Sequence, residues 1–202
     1  MRISVKLGGS LAAAVVAAGL LASTPVSAAT RQVSANDNRT FTPERLLAAP
    51  GDSVHWAASG TGDHSVRQNA GLFDSGVPGP GLNFTRTFSA GTFAYHCEEH
   101  GNRGMRGTVS VPPQVLSAPA GLPFTVRWAA AGTNTGNSFD VKYRVGSGPW
   151  KAWRTNTRAK SLVFGKGGPV AVARGKTYSF QVRSGSGASE SGFSPRKSFR
   201  AR

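Results

Sequence analysis

Residues 95–105 read YHCEEHGNRGM, so that Cys97 is followed by His100 three residues later and by Met105 a further five residues on. Before this point the chain alternates as a strand does, with Phe93 and Cys97 on the same face. The glycines and asparagine after His100 favour a loop. The stretch therefore predicts a β-strand that ends at Cys97, and a loop that brings a thiol, an imidazole and a thioether together.

These three donors are soft or borderline metal ligands. One cysteine, two histidines and a weakly bound methionine form the donor set that holds copper in electron-transfer sites. The second histidine has to come from elsewhere, and His64 is available in a separate polar segment. The residues thus predict one copper ion bound by His64, Cys97, His100 and Met105, with His100 nearest the solvent. Zinc binds cysteine and histidine as well, and we expect it only as a substitute.

Residues 30–112 resemble a plastocyanin-type cupredoxin, the small blue-copper family. The matching features are the Cys-x2-His-x4-Met loop, the upstream His64, and the segments PGDSVHW at 50–56 and GLFDSG at 71–76. The resemblance implies a two-sheet Greek-key β-barrel and one-electron transfer between Cu(II) and Cu(I), and it assigns the same four ligands position by position. Ser65 is a departure, because asparagine or threonine often follows this histidine in the family. The hydrogen bonding around the site is therefore left open.

The other two histidines are expected to point away from the metal. His55 lies between the apolar Val54 and Trp56, and His96 precedes Cys97, so alternation places both on the outer side of their strands. A catalytic copper centre needs further histidines or His-x-His pairs, whereas this chain has four histidines and no such pair. The pattern favours an electron carrier over an enzyme.

The first 29 residues are typical of a secretory signal peptide. Arg2 and Lys6 precede an apolar run at 11–22, and small residues at 27–29 suit a signal peptidase. An uncleaved anchor is the alternative, although the run is too short to span a bilayer, and no transmembrane segment is expected further on. We therefore predict a secreted, extracellular protein, with association with the cell envelope left open. The single cysteine of an exported chain has no internal partner, so it pairs with another molecule, reacts or is protected by a ligand.

Charge divides the mature chain into two parts. Residues 30–112 carry seven basic and seven acidic residues, whereas residues 113–202 carry 15 basic residues against two acidic ones, a net charge of +13. Pro112 and Pro113 fall at the change, and prolines interrupt a sheet. The prediction is a signal peptide at 1–29, a copper-binding domain at 30–112 and a basic domain at 113–202.

Short apolar alternations separated by turn residues predict an all-β protein with one β-sandwich in each domain. Strands are expected near residues 45–49, 53–58, 84–88, 92–97 and 107–111, and in the second domain near 124–129, 139–145, 150–155, 161–164, 177–183 and 193–199.

Residues 114–202 resemble a fibronectin type III domain. The matching segments are 124–128, with Trp128 as a core residue, and 175–183, with Tyr178 as the tyrosine corner. The resemblance implies an immunoglobulin-like sandwich that serves spacing or binding rather than chemistry. Trp150 and Trp153 are three residues apart, so strand alternation places them on opposite faces.

The partners of the basic domain follow from charge alone. Its excess suits an anionic cell-wall polymer, a membrane surface, extracellular DNA or an acidic redox partner, or it serves solubility only. No nucleic-acid recognition motif is present, so no specific nucleic acid is expected, and the redox partner is unknown. The leading hypothesis is an extracellular electron carrier. The alternatives are a copper-binding or delivery protein, and a wall-associated binding protein in which the copper site is secondary.

Overall fold

Strand-forming alternation extends through both halves of the chain, and the structure, a computed structural model, is all-β as predicted. It describes residues 28–116, 123–167 and 170–202. Within these ranges sixteen strands form four sheets, and the single helical element is a 3-10 turn at Gly101–Arg103. The predicted signal peptide lies outside the described residues except for Ala28 and Ala29. In the part of the chain that the structure describes, no helix has the length and apolar character needed to cross a membrane.

The predicted first domain contains eight strands, which are β1 (Thr30–Asn36), β2 (Thr40–Thr42), β3 (Arg45–Leu47), β4 (Ser53–Ala58), β5 (Arg67–Gln68), β6 (Asn83–Thr87), β7 (Gly91–His96) and β8 (Arg106–Val111). One sheet has the order β2-β1-β4-β6, and the other has the order β3-β8-β7-β5. The pairs β1–β4 and β3–β8 are parallel, whereas the other neighbours are antiparallel.

An aromatic core between the two sheets fixes β7. Trp56 on β4 is fully buried, and its ring centroid lies 5.4 Å from that of Tyr95, 5.9 Å from Phe73 and 6.1 Å from Phe88. Each such side chain contributes about 1.5–3 kcal/mol through burial. Because Tyr95 is held in this core, the next inward-facing residue of the chain, Cys97, has a fixed position at the end of β7.

The turn before β4 ties the start of the domain to its core. Asp52 is buried, and its carboxylate accepts the backbone N–H groups of Ala29 and Ala49 at 2.9 and 3.1 Å and the Arg31 Nε–H at 3.2 Å. Gly51 has a φ of 101°, a left-handed conformation that favours glycine. This turn therefore anchors β1 beside β4.

The predicted second domain contains the remaining strands, which are β9 (Gln114–Leu116), β10 (Phe124–Arg127), β11 (Ser138–Val145), β12 (Lys151–Thr157), β13 (Ser161–Phe164), β14 (Thr177–Ser186), β15 (Ser189–Glu190) and β16 (Lys197–Arg200). A three-stranded sheet has the order β13-β10-β9. The facing sheet has the order β12-β11-β14, with β15 and β16 both paired to β14.

Aromatic side chains fill the space between these two sheets. Trp128 is fully buried, and its indole N–H donates to the Ala159 carbonyl at 2.7 Å. The Tyr178 hydroxyl accepts the Ala173 N–H at 2.9 Å and donates to the Ala171 carbonyl at 3.4 Å, which is the hydrogen-bonding pattern of a tyrosine corner.

Two details refine the predicted strands. Trp153 packs in the core while Trp150 is half-buried on the outer face, as alternation predicts. The sequence predicts the last strand at residues 193–199, whereas the strand begins only at Lys197. Pro195 lacks an N–H, and the residue before it, Ser194, uses its backbone and its hydroxyl to bind the backbone of Val182 instead.

A buried, hydrogen-bonded interface joins the two predicted domains at the start of β7. Ser89 Oγ lies 3.1 Å from Thr135 Oγ1 and 2.7 Å from Ser184 Oγ, and all three side chains are buried. Thr92 and Gly192 exchange two backbone hydrogen bonds of 2.9 Å. Because β7 spans six residues, this interface is about 20 Å from the end of the strand that carries Cys97.

Candidate metal centre

Three donor side chains meet at the end of β7. One donor atom from each of His64, Cys97 and His100 lies within 4.8 Å of the other two, and all three residues are buried. Cys97 Sγ is 3.6 Å from His100 Nδ1, and the centroids of the two imidazole rings are 5.5 Å apart. A thiolate and two imidazoles that are shielded from water form a donor set for copper or zinc.

The nitrogens of His64 point to a ligand. Both ring nitrogens are buried and have no hydrogen-bond partner among the described residues, although buried polar atoms are rarely left unpaired. Burial lowers the pKa of His64, and the nearby His100 acts in the same direction. The neutral imidazole is therefore favoured, and this form has the lone pair that a metal ion requires.

The loop after Cys97 is closed by its own backbone. Gly101 N–H donates to the Cys97 carbonyl at 2.7 Å, Met105 N–H donates to the His100 carbonyl at 3.1 Å, and Cys97 N–H donates to the Met105 carbonyl at 3.1 Å. Gly104, with a φ of 94°, supplies the left-handed residue that ends the 3-10 turn. Met105 is fully buried. The loop thus keeps Cys97, His100 and Met105 in a fixed relation.

His64 reaches the centre from a different loop. Its backbone exchanges hydrogen bonds with Gly79, at 3.0 and 3.3 Å. On the outer side, Asp37 Oδ1 lies 3.9 Å from His64 Nε2, and the same carboxylate accepts the backbone N–H groups of Thr61 and Gly62. Asp37 therefore fixes the loop that carries His64 and places a negative charge beside its ring. Nothing in the sequence near Asp37 indicates this contact.

Ser65, where the sequence departs from the cupredoxin pattern, is also buried at the centre. Its Oγ accepts the Glu98 N–H at 3.0 Å and lies 4.0 Å from Cys97 Sγ. The Ser65 hydroxyl therefore lies beside the thiol, where it can hydrogen-bond to the sulfur.

The centre is closed to solvent on most sides. The His100 side chain is 11 % exposed, whereas that of His64 is 1 % exposed, and Cys97 and Met105 are fully buried. Glu99 Oε1 lies 3.8 Å from His100 Nε2. The edge of His100 is therefore the most accessible part of the cluster.

The two remaining histidines are outside the cluster, as alternation predicts. The His55 ring lies between Gln32 Oε1 and Asn83 Oδ1, at 2.8 Å from each. His96 Nδ1 is 2.8 Å from Asn69 Oδ1. Both rings face outward and have polar partners of their own.

Neither a protein-family profile nor a curated protein matches the sequence. Solved cupredoxin structures match part of it. A purple cupredoxin from Nitrosopumilus maritimus is 25 % identical over 40 % of this chain and 98 % of its own, with a TM-score of 0.36. The oxidized plastocyanin of Dryopteris crassirhizoma is 19 % identical over 40 % of this chain and 98 % of its own, with a TM-score of 0.34. A Cu(I) form of an amicyanin variant is 29 % identical over 43 % of this chain and 86 % of its own, with a TM-score of 0.34.

Proposed function

We propose that this protein is a one-electron carrier with a single type 1 copper site of the cupredoxin kind. The observation that carries the proposal is the buried cluster of His64, Cys97 and His100, in which both His64 nitrogens lack a hydrogen-bond partner among the described residues. A thiolate with two imidazoles in a water-excluded site is the donor set of a blue-copper centre.

The ligands have distinct roles in this proposal. Cys97 and the two histidines would bind the ion strongly, and Met105 would be a weak fourth donor. A bound copper ion would supply one-electron exchange between Cu(II) and Cu(I). The residues of the chain hold the ligand geometry, exclude water and present the edge of His100, through which electrons enter and leave.

The rigidity of the site supports a carrier rather than a delivery protein. Cys97 follows a core strand, and its loop is closed by three backbone hydrogen bonds. Ligands that are fixed in this way rearrange little when the charge on the ion changes. Delivery of the ion requires the ligands to be displaced. Among the four ligands only His100 has an accessible edge, and its side chain is 11 % exposed. This single open edge suits electron exchange better than release of the ion.

The proposal extends to the rest of the chain. The signal-like N-terminus supports a secreted protein, with no enzymatic activity assigned to either domain. The tyrosine corner at Tyr178 and the buried Trp128 support a fibronectin type III-like second domain.

The test is the visible spectrum of the copper-loaded protein. The thiolate–copper bond should give an intense blue to purple or green colour that disappears on reduction and is absent in Cys97→Ser, because a hydroxyl is a poor substitute for thiolate. His96→Gln is the matched control, since this histidine adjoins Cys97 but faces outward, and it should keep the colour. Met105→Leu should keep copper and raise the reduction potential. A copper-loaded protein without charge-transfer absorption contradicts the proposal.

A second measurement separates a carrier from a delivery protein. A carrier should show rapid electron self-exchange and should retain copper in both oxidation states. Stoichiometric transfer of Cu(I) to a chelating acceptor protein, together with slow self-exchange, would instead establish delivery.

A further inference from the structure

Five side chains alternate as cation and aromatic ring on the outer face of the sheet formed by β12, β11 and β14. Lys142 Nζ lies 3.7 Å from the centre of the Phe193 ring and 5.3 Å from that of Trp150. Arg144 lies 5.0 Å from the Trp150 ring, and Arg183 lies 5.3 Å from the Phe193 ring. We call this continuous stack, in the order Arg183, Phe193, Lys142, Trp150 and Arg144, the cation–aromatic ladder.

The acidic residues of the domain neutralise only one end of the ladder. Its two carboxylates, Asp140 and Glu190, both bind Arg183, at 2.7 and 2.5 Å. Within the described residues, Lys142 and Arg144 have no carboxylate within salt-bridge distance. Burial lowers the pKa of Lys142, and the charge of Arg183 adds to this effect. The ladder therefore has two cations that an acidic ligand would stabilise.

The rings hold these cations in place. Lys142 and Arg144 are two residues apart on β11, so their side chains leave the same face of the strand about 7 Å apart. Trp150 and Phe193 are half-buried between the cations, and the cation–π attraction holds each cation against a ring. Cations that the rings already hold in place lose less side-chain entropy on binding a ligand than freely moving lysine side chains do.

The surroundings of the ladder are also basic. Lys142, Trp150 and Phe193 line a shallow cavity of about 180 Å³ together with Lys151, Arg154 and Asp140, whose carboxylate binds Arg183. Both of these additional cations are exposed. The face therefore presents a regular row of cations with more positive charge along one side, which fits an extended ligand that carries repeated negative charges.

We propose that the ladder face binds an acidic polysaccharide at the cell surface. The partner is recognised by its carboxylate or sulfate groups, which bind Lys142 and Arg144. Two other polyanionic partners fit less well. Bases of a nucleic acid stack on free aromatic faces, whereas the rings here are already stacked on cations. Insertion into a membrane requires exposed aromatic or aliphatic side chains, whereas Trp150 and Phe193 are enclosed in the ladder.

The position of the ladder makes its binding independent of the copper site. Phe193 is next to the interface at the start of β7, where its carbonyl accepts the Thr92 hydroxyl at 2.9 Å. Cys97 is at the opposite end of the same strand. Polysaccharide binding should therefore leave the edge of His100 accessible and the copper spectrum unchanged, and it should occur in metal-free protein as well.

The test measures the affinity of the full mature protein for polygalacturonate, with neutral dextran as the blank, across a salt series. Lys142→Gln/Arg144→Gln should weaken binding about tenfold, since the charge contacts of two half-buried cations are lost. The matched control, Arg174→Gln/Lys176→Gln, removes the same charge from an exposed turn and should change affinity less than about twofold. Trp150→Leu/Phe193→Leu keeps the charge but releases the cations, and it should also weaken binding. Far-UV circular dichroism and the copper spectrum check that each variant is folded.

Three results would overturn the proposal. Equal losses in the ladder variant and the control would mean that binding follows net charge alone. Full affinity of Trp150→Leu/Phe193→Leu would remove the ladder from recognition. Tighter binding to single-stranded DNA, or to vesicles that contain phosphatidylglycerol, at the same salt concentration would assign the face to one of those partners.

Discussion

Ser65 Oγ accepts the backbone N–H of Glu98 at 3.0 Å and lies 4.0 Å from Cys97 Sγ. Because the oxygen of this hydroxyl is used as an acceptor, its hydrogen is available to the sulfur. A hydroxyl that donates to the cysteine sulfur draws electron density from it, and this favours the reduced form of a blue-copper site.

Ser65→Ala should therefore lower the reduction potential of the copper-loaded protein. A net hydrogen bond of about 0.5–1 kcal/mol corresponds to about 20–40 mV for one electron, and a spectroelectrochemical titration resolves this difference. The control is Ser75→Ala, which removes a neighbouring hydroxyl that binds the Val66 N–H at 2.8 Å and should leave the potential unchanged. A higher potential in Ser65→Ala would show that the hydroxyl does not donate to the sulfur.

Asp37 is expected to tune the site through His64. Its carboxylate is 3.9 Å from His64 Nε2, so its negative charge favours the higher charge of Cu(II). Asp37→Asn should raise the reduction potential and weaken Cu(II) binding by roughly tenfold, the lower end of the effect of losing a group that orients a metal ligand. Potentiometry and competition with a chelator measure the two quantities.

The control for this variant is Asp74→Asn, which removes a carboxylate that binds the exposed Arg67 at 3.5 Å. If both variants shift the potential equally, the effect is one of net charge and not of contact with His64.

The sequence predicts the part of the metal centre whose ligands lie close together in one segment of the chain. Cys97, His100 and Met105 lie within nine residues, so their spacing and the alternation of β7 predict that they share one loop. His64 could be proposed because alternation turns His55 and His96 outward. These inferences rest on strand periodicity, which does not depend on the rest of the fold.

Other features depend on packing between distant segments, and the sequence does not reveal them. Ser89 and Ser184 are 95 residues apart when they meet at the domain interface, and the ladder combines side chains from four places along the chain, at residues 142–144, 150, 183 and 193. Strands of two residues, such as β5 and β15, are too short to show any periodicity. Asp37 resembles any loop aspartate until the fold places it beside His64.

Tyr95 gives a stability prediction at alkaline pH. The hydroxyl is buried in the core and has no hydrogen-bond partner of good geometry among the described residues. Burial raises its pKa to about 12, and the charge of Glu44 adds to this rise while the neighbouring Trp56 opposes it. Because the folded-state pKa lies above the unfolded value of 10, the neutral hydroxyl is compatible with the fold below pH 10. The free energy of unfolding then falls by about 2–3 kcal/mol as the pH rises from 10 towards 12.

Tyr95→Phe should remove the part of the alkaline loss of stability that is due to the buried hydroxyl. At pH 7 it should change the free energy of unfolding by less than about 1 kcal/mol, since the hydroxyl that is removed has no hydrogen-bond partner of good geometry among the described residues. Denaturant unfolding of both proteins at pH 7, 9, 10 and 11 provides the comparison. Identical pH dependence in the two proteins would mean that Tyr95 does not ionise on unfolding in this range.

Coupling between the domains is expected from the hydroxyl cluster at their interface. Ser184 Oγ lies 2.7 Å from Ser89 Oγ and donates to the Ala90 carbonyl at 2.8 Å, and these groups are buried. Ser184→Ala leaves both partners without this bond, at a cost of about 1–3 kcal/mol. The expected result is a fall of roughly 2–12 °C in Tm, recorded both by the copper absorbance and by near-UV circular dichroism, to which the three tryptophans of the second domain contribute. Ser186→Ala, at the exposed end of the same strand, should have little effect. Because the interface joins the two cores, the two signals should change together in the wild type and in both variants. Two separate transitions, with the copper signal unaffected by Ser184→Ala, would show instead that the domains unfold independently.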